Sequence, residues 1–209
     1  MSTKQPEIQD VGHEVAEMQA RAEVCRAVAG GVLEMRENAA TYLPKKVRET
    51  DSEWKARVAE AEFFPAFAKA LDAYVGKPLG SPIIVQGVPS EVEPGLENVD
   101  LAGQDFDSFA RAVLMAGLVD GATWVVADYP KVPAGSTLAM ERSMGARPYL
   151  VHVPLENLVD YRGEVMADGT HRCVHFRYKE CVRVPDGRWG TREVERIRVL
   201  EPGLVEVWE

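Results

Sequence analysis

Cysteine is scarce in this chain. Its 209 residues include three, Cys25, Cys173 and Cys181. An odd, sparse set without short paired spacing does not build a disulfide scaffold and is typical of a reducing compartment. The N-terminus lacks the basic and then apolar layout of a secretion signal. No apolar run approaches the roughly 18 residues of a membrane span, so the sequence predicts a soluble intracellular protein without a membrane partner.

Positive charge is also in the minority. The chain has 24 Lys and Arg against 33 Asp and Glu, a formal net charge of −9. Such a chain repels phosphate backbones on average, so a surface that grips a duplex over its whole extent is not expected. A channel through which nucleic acid only slides remains compatible with this charge, because a repulsive wall prevents sticking.

A glycine-rich phosphate loop is absent as well. Gly117, Gly121 and Gly135 do not follow the strand–GxGxxG–helix order of a dinucleotide site. The sequence therefore predicts no cofactor.

The apolar pattern predicts an α+β fold, with N-terminal helices packed on a mixed or antiparallel sheet. Apolar residues recur every three or four positions over 11–29 and 104–116, as in helices, and Gly30-Gly31 ends the first. Thr50 and Glu53 have the spacing of a capping box. Alternation on both sides of Asp186-Gly187 predicts a C-terminal hairpin. The remaining predictions are an edge strand at 83–85, strands at 123–127, 148–153 and 204–208, and a long loop at 131–146.

Asp128 closes the apolar strand at 123–127 and is followed by Tyr129-Pro130. A carboxylate at the end of a buried strand is where many α/β enzymes keep a catalytic acid, and Asp120 or Asp160 would supply a second carboxylate. No nucleophile or His partner stands nearby in sequence. Asp and Pro also simply end strands and begin turns. We favour the structural interpretation and predict no catalytic residue.

Two further groups of side chains, one of His and Cys and one of Lys and Arg, could have a function or could simply be part of the protein surface or core. His171, Cys173, His175 and Cys181 are ligand types that zinc accepts, but their spacing matches no standard zinc layout, so no metal is predicted. Lys45, Lys46 and Arg48 precede the capped helix. Such a cluster is usually a solvated loop, and it is our candidate for contact with nucleic acid or an acidic neighbour.

Seven landmarks in order resemble the portal-protein family of tailed bacteriophages over residues 30–209. Each landmark is weak alone, and their order makes the resemblance specific. They are Tyr42-Leu43-Pro44-Lys45, Glu49 with Trp54-Lys55-Ala56-Arg57, Tyr74-Val75-Gly76-Lys77-Pro78, Asn98-Val99-Asp100 with Gly103, Gly121 through Asp128-Tyr129-Pro130, Arg147-Pro148-Tyr149-Leu150, and Asn157 with Tyr161.

The resemblance implies a structural subunit of a portal ring, commonly dodecameric, at one capsid vertex of a virion assembled in the host cytoplasm. Portal rings conduct double-stranded DNA without sequence-specific binding and without a catalytic site. The implied partners are other portal subunits, the major capsid protein, the terminase and tail or adaptor proteins.

The matched part resembles the peripheral wing of a portal, with the stem, clip and crown absent. We therefore expect a helical arm at 1–40, a wing-like α+β domain at 41–209, and a fragment that is monomeric or weakly associated. Two alternatives stay open: a head–tail connector or adaptor that binds a portal, and a hydrolase-like enzyme that uses Asp128 and a His.

Overall fold

A computed structural model describes residues 7–90 and 92–209. The described chain forms two compact units. One consists of the chain up to Ala20 together with Val153–Glu209, and the other is Arg21–His152. The boundary between residues 40 and 41 that the sequence predicts is a different one, and it stays a prediction.

The described chain contains six helices, most of them in its first half, and six strands, and these confirm the predicted α+β class with C-terminal hairpin strands. The helices are α1 His13–Glu37, α2 Ala39–Tyr42, α3 Asp51–Glu60, α4 Ala66–Gly76, α5 Phe106–Asp120 and α6 Leu138–Ser143. The strands are β1 Thr123–Asp128, β2 Tyr149–Pro154, β3 Leu158–Val165, β4 His171–Asp186, β5 Gly190–Glu201 and β6 Leu204–Trp208. Short 3₁₀ turns cover Glu93–Glu97 and Leu155–Asn157.

The helix ends follow local chemistry that the sequence displays. Gly31 interrupts α1 with φ 75° and ψ −152°, the break predicted at the glycine pair. The capping box of Thr50 and Glu53 opens α3, and Asp105 caps α5 by accepting from Ser108 N. Gly121 ends α5 in the left-handed region.

Two predicted elements are wrong. The segment 83–85 forms no strand, because Pro and Gly flank it and the Ile83 N–H donates to the Asp107 carboxylate at 2.9 Å. Ile84 is 83% exposed there, and the segment is not an edge strand of either sheet in the described chain. The predicted loop 131–146 contains α6, which Thr137 caps by accepting from Met140 N.

Strands β3, β4, β5 and β6 form an antiparallel sheet in that order. In β4 and β5 the buried side chains alternate, with Phe176 and Tyr178 on one strand and Ile197 and Val199 on the other, as period-two patterning requires. The core of this unit consists of Val15, Val153, Leu155, Leu158, Val159, Phe176, Tyr178, Ile197 and Val199.

The start of α1 is joined to the β3 strand of the same unit. Gly12 N donates to Val159 O at 2.8 Å, at an irregularity in the β3–β4 register. A side chain at residue 12 would run into the Asp160 carboxylate, which explains the glycine. Further along, Gln19 Nε2 donates to Leu155 O and Leu158 O, both at 2.9 Å.

The Arg21–His152 unit has a smaller core. Its buried apolar residues are Ala22, Ala27, Ala39, Leu71, Val75, Val99 and Phe109. Strands β1 and β2 form its two-stranded sheet. Because three of these seven residues are alanines, side-chain hydrogen bonds between segments add to the stability that this small core provides.

The two valines on β3 provide a test of the sheet core. Val159 is fully buried and Val165 is 64% exposed. We expect Val159→Ala to lower the free energy of unfolding by about 2 kcal/mol, since two methyl groups leave a packed site. Val165→Ala, the matched control, changes it by less than about 0.5 kcal/mol. Urea unfolding measures both, and equal losses would contradict the assigned core.

Candidate functional site

The basic cluster Lys45, Lys46 and Arg48 lies in the exposed loop between α2 and α3. Lys45 Nζ forms an ion pair with Asp51 Oδ1 at 2.5 Å. The Lys46 backbone N–H donates to Glu49 Oε2 at 2.9 Å, while its side chain is exposed. The three cations therefore share one loop, with one of them paired to α3. Their role in contacting a partner stays a prediction.

Two side chains of α3 hold this loop in place. Trp54 Nε1 donates to Leu43 O at 2.7 Å, and Arg57 donates to Pro44 O at 3.0 Å. Arg57 also binds Glu49 through two nitrogen atoms, at 2.7 and 2.9 Å. A planar guanidinium held by a carboxylate in this way fixes both orientation and distance.

The pairing with Arg57 stabilises the charged form of Glu49. It lowers the pKa of the Glu49 carboxyl from its ordinary value of 4.5 to about 2, with the hydrogen bond from Arg57 as the largest cause and that from Lys46 N next. Glu49 therefore stays ionised at pH values at which an ordinary glutamate is protonated.

This shift predicts a pH dependence. Because the pKa is lower in the folded than in the unfolded chain, ionised Glu49 stabilises the fold above about pH 4.5, and the stabilisation disappears as the pH falls towards 2. We expect Glu49→Gln to be less stable at neutral pH and to lose less stability across that window. Urea midpoints at several pH values measure this.

The control is Glu60→Gln, at the exposed end of the same helix. It is expected to follow the wild-type curve. If Glu49→Gln ran parallel to the wild type from neutral pH to pH 2, the proposed linkage between Glu49 and Arg57 would be wrong.

Asp128 lies at the end of β1, as predicted, and its two carboxylate oxygens accept hydrogen bonds from the chain. Oδ1 accepts from Tyr129 N at 2.8 Å, and Oδ2 accepts from the Tyr149 hydroxyl at 2.6 Å. The second bond links the end of β1 to the start of β2. Such hydrogen bonds are expected of a carboxylate that ends one strand and positions the following strand.

The carboxylates considered as partners of Asp128 are paired elsewhere. Asp120 forms an ion pair with Arg26 at 2.6 Å, and its side chain is nearly buried. Asp160 belongs to the sheet unit, where it pairs with Arg177 at 3.2 Å. Asp120 and Asp160 therefore each form an ion pair with an arginine, an interaction that favours the ionised form of a carboxylate.

The histidine of the same small sheet lies at the other end of β1. His152 is hydrogen bonded to Thr123 Oγ1 at 2.7 Å, and burial lowers the pKa of its imidazole. Thr123 and Asp128 are five residues apart on one strand, about 16 Å at about 3.3 Å per residue. Direct proton transfer requires hydrogen-bond distance, so His152 and Asp128 do not form an acid–base pair.

A double-mutant cycle tests the link between Asp128 and Tyr149. We expect Asp128→Ala and Tyr149→Phe to be non-additive by about 1.5 kcal/mol, since each removes the same charge-assisted hydrogen bond. The control is Tyr129→Phe, whose hydroxyl donates to Glu141 and not to Asp128. Additive effects for Tyr149, or equal coupling for Tyr129, would contradict the pairing. Unfolding in urea supplies the energies.

The landmark segments at 98–103 and 147–150 meet in this unit. Leu150 N donates to Val99 O at 2.8 Å, and the Arg147 guanidinium donates to Asn98 O. The Asn98 and Asp100 side chains accept from Gly103 N and Ala102 N. Loop carbonyls and amides that no helix or strand satisfies are thereby paired.

A cavity of about 180 Å³ lies beside these contacts. Val92 in its lining is 49% exposed, so the cavity opens to the surface. The lining is mainly apolar, with Val92, Leu96, Val99, Phe106, Pro148 and Leu150, together with Gly95, Tyr149 and Arg147. Sequence reasoning missed it because the lining comes from segments 92–99 and 147–150 and from Phe106 of α5, and nothing in the sequence shows that these parts meet.

The candidate zinc ligands on β4 have other surroundings. Cys173 Sγ donates to His175 O at 3.3 Å, and His175 Nδ1 is hydrogen bonded to Glu201 at 2.8 Å. Desolvation, and next the Glu193 carboxylate, raise the pKa of the Cys181 thiol, which disfavours the thiolate that zinc binds. Across residues 7–90 and 92–209, no three His, Cys, Asp or Glu side chains are grouped to hold a metal ion.

The chain matches no model of a protein family and no curated protein sequence. Within the residues that the structure describes, no helix is both long and apolar enough to cross a membrane. What the chain does is therefore inferred from its own residues and their contacts.

Proposed function

We propose that this chain is a structural, non-enzymatic subunit of a phage portal ring, and that it forms the wing part of that subunit. The ring would conduct double-stranded DNA at the capsid vertex during packaging and ejection. Its partners would be other portal subunits, the major capsid protein, the terminase, and tail or adaptor proteins. The proposal starts from the ordered landmarks in the sequence.

One observation carries the proposal beyond the landmarks themselves: their polar groups bond to one another. Trp54 and Arg57 bond the Leu43-Pro44 segment, and Arg57 also bonds Glu49. The segments at 98–103 and 147–150 are joined through Arg147, and Tyr149 is joined to Asp128. Residues used in this way build a scaffold, whereas catalytic groups are aimed at a space that a substrate enters.

The surroundings of Asp128 favour a structural subunit over a hydrolase. An acid that works on a substrate needs an oxygen aimed at that substrate and a partner of matched pKa within hydrogen-bond reach. Both oxygens of Asp128 accept from tyrosine groups of the chain, and His152 lies at the far end of β1. The geometry therefore supports a positioning role for Asp128.

The charge of the chain supports a channel component rather than a DNA clamp. The net charge is −9, and in the sheet unit basic residues of β4 are paired with acidic residues of β5, as in Lys179 with Glu195 and Arg183 with Glu193. A protein that grips duplex DNA releases counterions through unpaired Lys and Arg. Basic side chains that are paired with carboxylates hold a phosphate backbone less tightly, which favours DNA that slides.

The location of the chain in particles tests the proposal. We expect an antibody against this chain to label one vertex of capsids, and to label empty heads that have not yet packaged DNA, because the ring is the entry channel. Immunogold electron microscopy of separated empty heads and tailed particles measures this. A capsid-protein antibody, which labels the whole shell, is the control.

Two outcomes would overturn the proposal. Label on tailed particles and none on unpackaged heads would favour a head–tail connector or adaptor that joins a portal later. Absence of the chain from both kinds of particle would exclude both structural roles.

A further inference from the structure

The β4–β5 hairpin extends beyond both of its neighbouring strands. Strand β3 pairs with β4 only as far as Tyr178, and β6 pairs with β5 only as far as Ile197. Residues 179–196 therefore form a two-stranded ribbon, in which β4 and β5 pair with each other. Two-stranded hairpins are marginally stable in water, and they gain stability when something packs against them.

The tip of this ribbon presents a large apolar side chain to solvent. Trp189 is 86% exposed. The Arg188 guanidinium lies 4.6 Å from the centre of the indole ring, a cation–π arrangement that keeps cation and ring together. An exposed Trp beside an Arg is the pair of residue types most enriched at the centres of protein interfaces.

The apolar cavity of the Arg21–His152 unit has complementary properties. Its lining is mainly apolar, and the 3₁₀ turn on its rim carries two exposed carboxylates, Glu93 and Glu97. The cation of the lining, Arg147, is held by the carbonyl oxygens of Asn98 and Pro148. A partner with an aromatic ring and an adjoining cation suits this combination.

We propose that the ribbon tip of one copy of this chain inserts Trp189 into the apolar cavity of a second copy, with Arg188 against Glu93 and Glu97. The ribbon tip and the cavity are formed by different residues, so the contact is heterologous. In a contacting pair, one copy still offers its cavity and the other still offers its tip. Repetition of the contact gives a ring or an open chain.

The contact is expected to be weak for the isolated chain. One aromatic side chain and a charged rim bury much less than the roughly 1,000 Å² of a stable interface. Association should therefore rise with protein concentration and weaken with salt, because the Arg188 and carboxylate charges are exposed and screened.

Analytical ultracentrifugation over a concentration series tests the apolar half of the contact. We expect the wild-type mass to rise with concentration, and Trp189→Ala to lower the association constant at least about tenfold. Phe64→Ala is the matched control, since Phe64 is also exposed and has Lys69 over its ring at 5.7 Å. A wild-type chain that stays monomeric at every concentration, or equal losses in both variants, would overturn the inference.

Charge reversal tests the other half without disturbing the fold, because all three positions are exposed. We expect Arg188→Glu to weaken association, and a variant with Glu93→Lys and Glu97→Lys to weaken it as well. Mixing the two variants should restore association, since the reversed tip then meets the reversed rim and the native tip meets the native rim. Failure of the mixture to associate would mean that the cavity has a different occupant, such as another protein or a small apolar molecule.

Discussion

Side chains that donate hydrogen bonds to backbone carbonyls of distant segments hold the Arg21–His152 unit together. Its buried apolar residues are few and include three alanines, so packing alone defines its long loops poorly. Each of these bonds satisfies a carbonyl that no helix or strand satisfies, and it fixes a loop against a helix or a strand. They run from Arg36 to Ala61, Trp54 to Leu43, Arg57 to Pro44, Arg111 to Leu79 and Arg147 to Asn98.

The sheet unit follows a different principle. Its stability comes from a continuous antiparallel ladder and from a core in which Phe176 and Tyr178 pack with their ring centres 5.7 Å apart. Because β4 and β5 are longer than β3 and β6, the same ladder that builds the core also extends the ribbon into solvent. One set of strands thus forms both the packed core and the exposed ribbon.

The sequence predicts where Asp128 lies, whereas its role depends on tertiary contacts. The apolar run before it and the Tyr-Pro after it predict the end of a strand, and that position is confirmed. Whether it is an acid or a positioning residue depends on Tyr149, 21 residues further along the chain, and on His152 at the opposite end of β1. No local pattern encodes those distances. The positioning role of Asp128 is therefore supported by its contacts more than by its place in the sequence.

The sequence alone determined the features that depend on neighbouring residues: the break at Gly31, the caps at Thr50 and Asp105, and the hairpin turn at Asp186-Gly187. Backbone conformation and capping are local, so their chemistry is visible in a few residues. The prediction from sequence is wrong at 83–85, where the Asp107 carboxylate of α5 accepts a hydrogen bond from the Ile83 N–H. In a strand, that N–H would be available to pair with a neighbouring strand. The partners of Asp128, the apolar cavity and the length of the ribbon were decided by tertiary structure. Each depends on segments far apart in the chain, and apolar periodicity does not specify which segments meet.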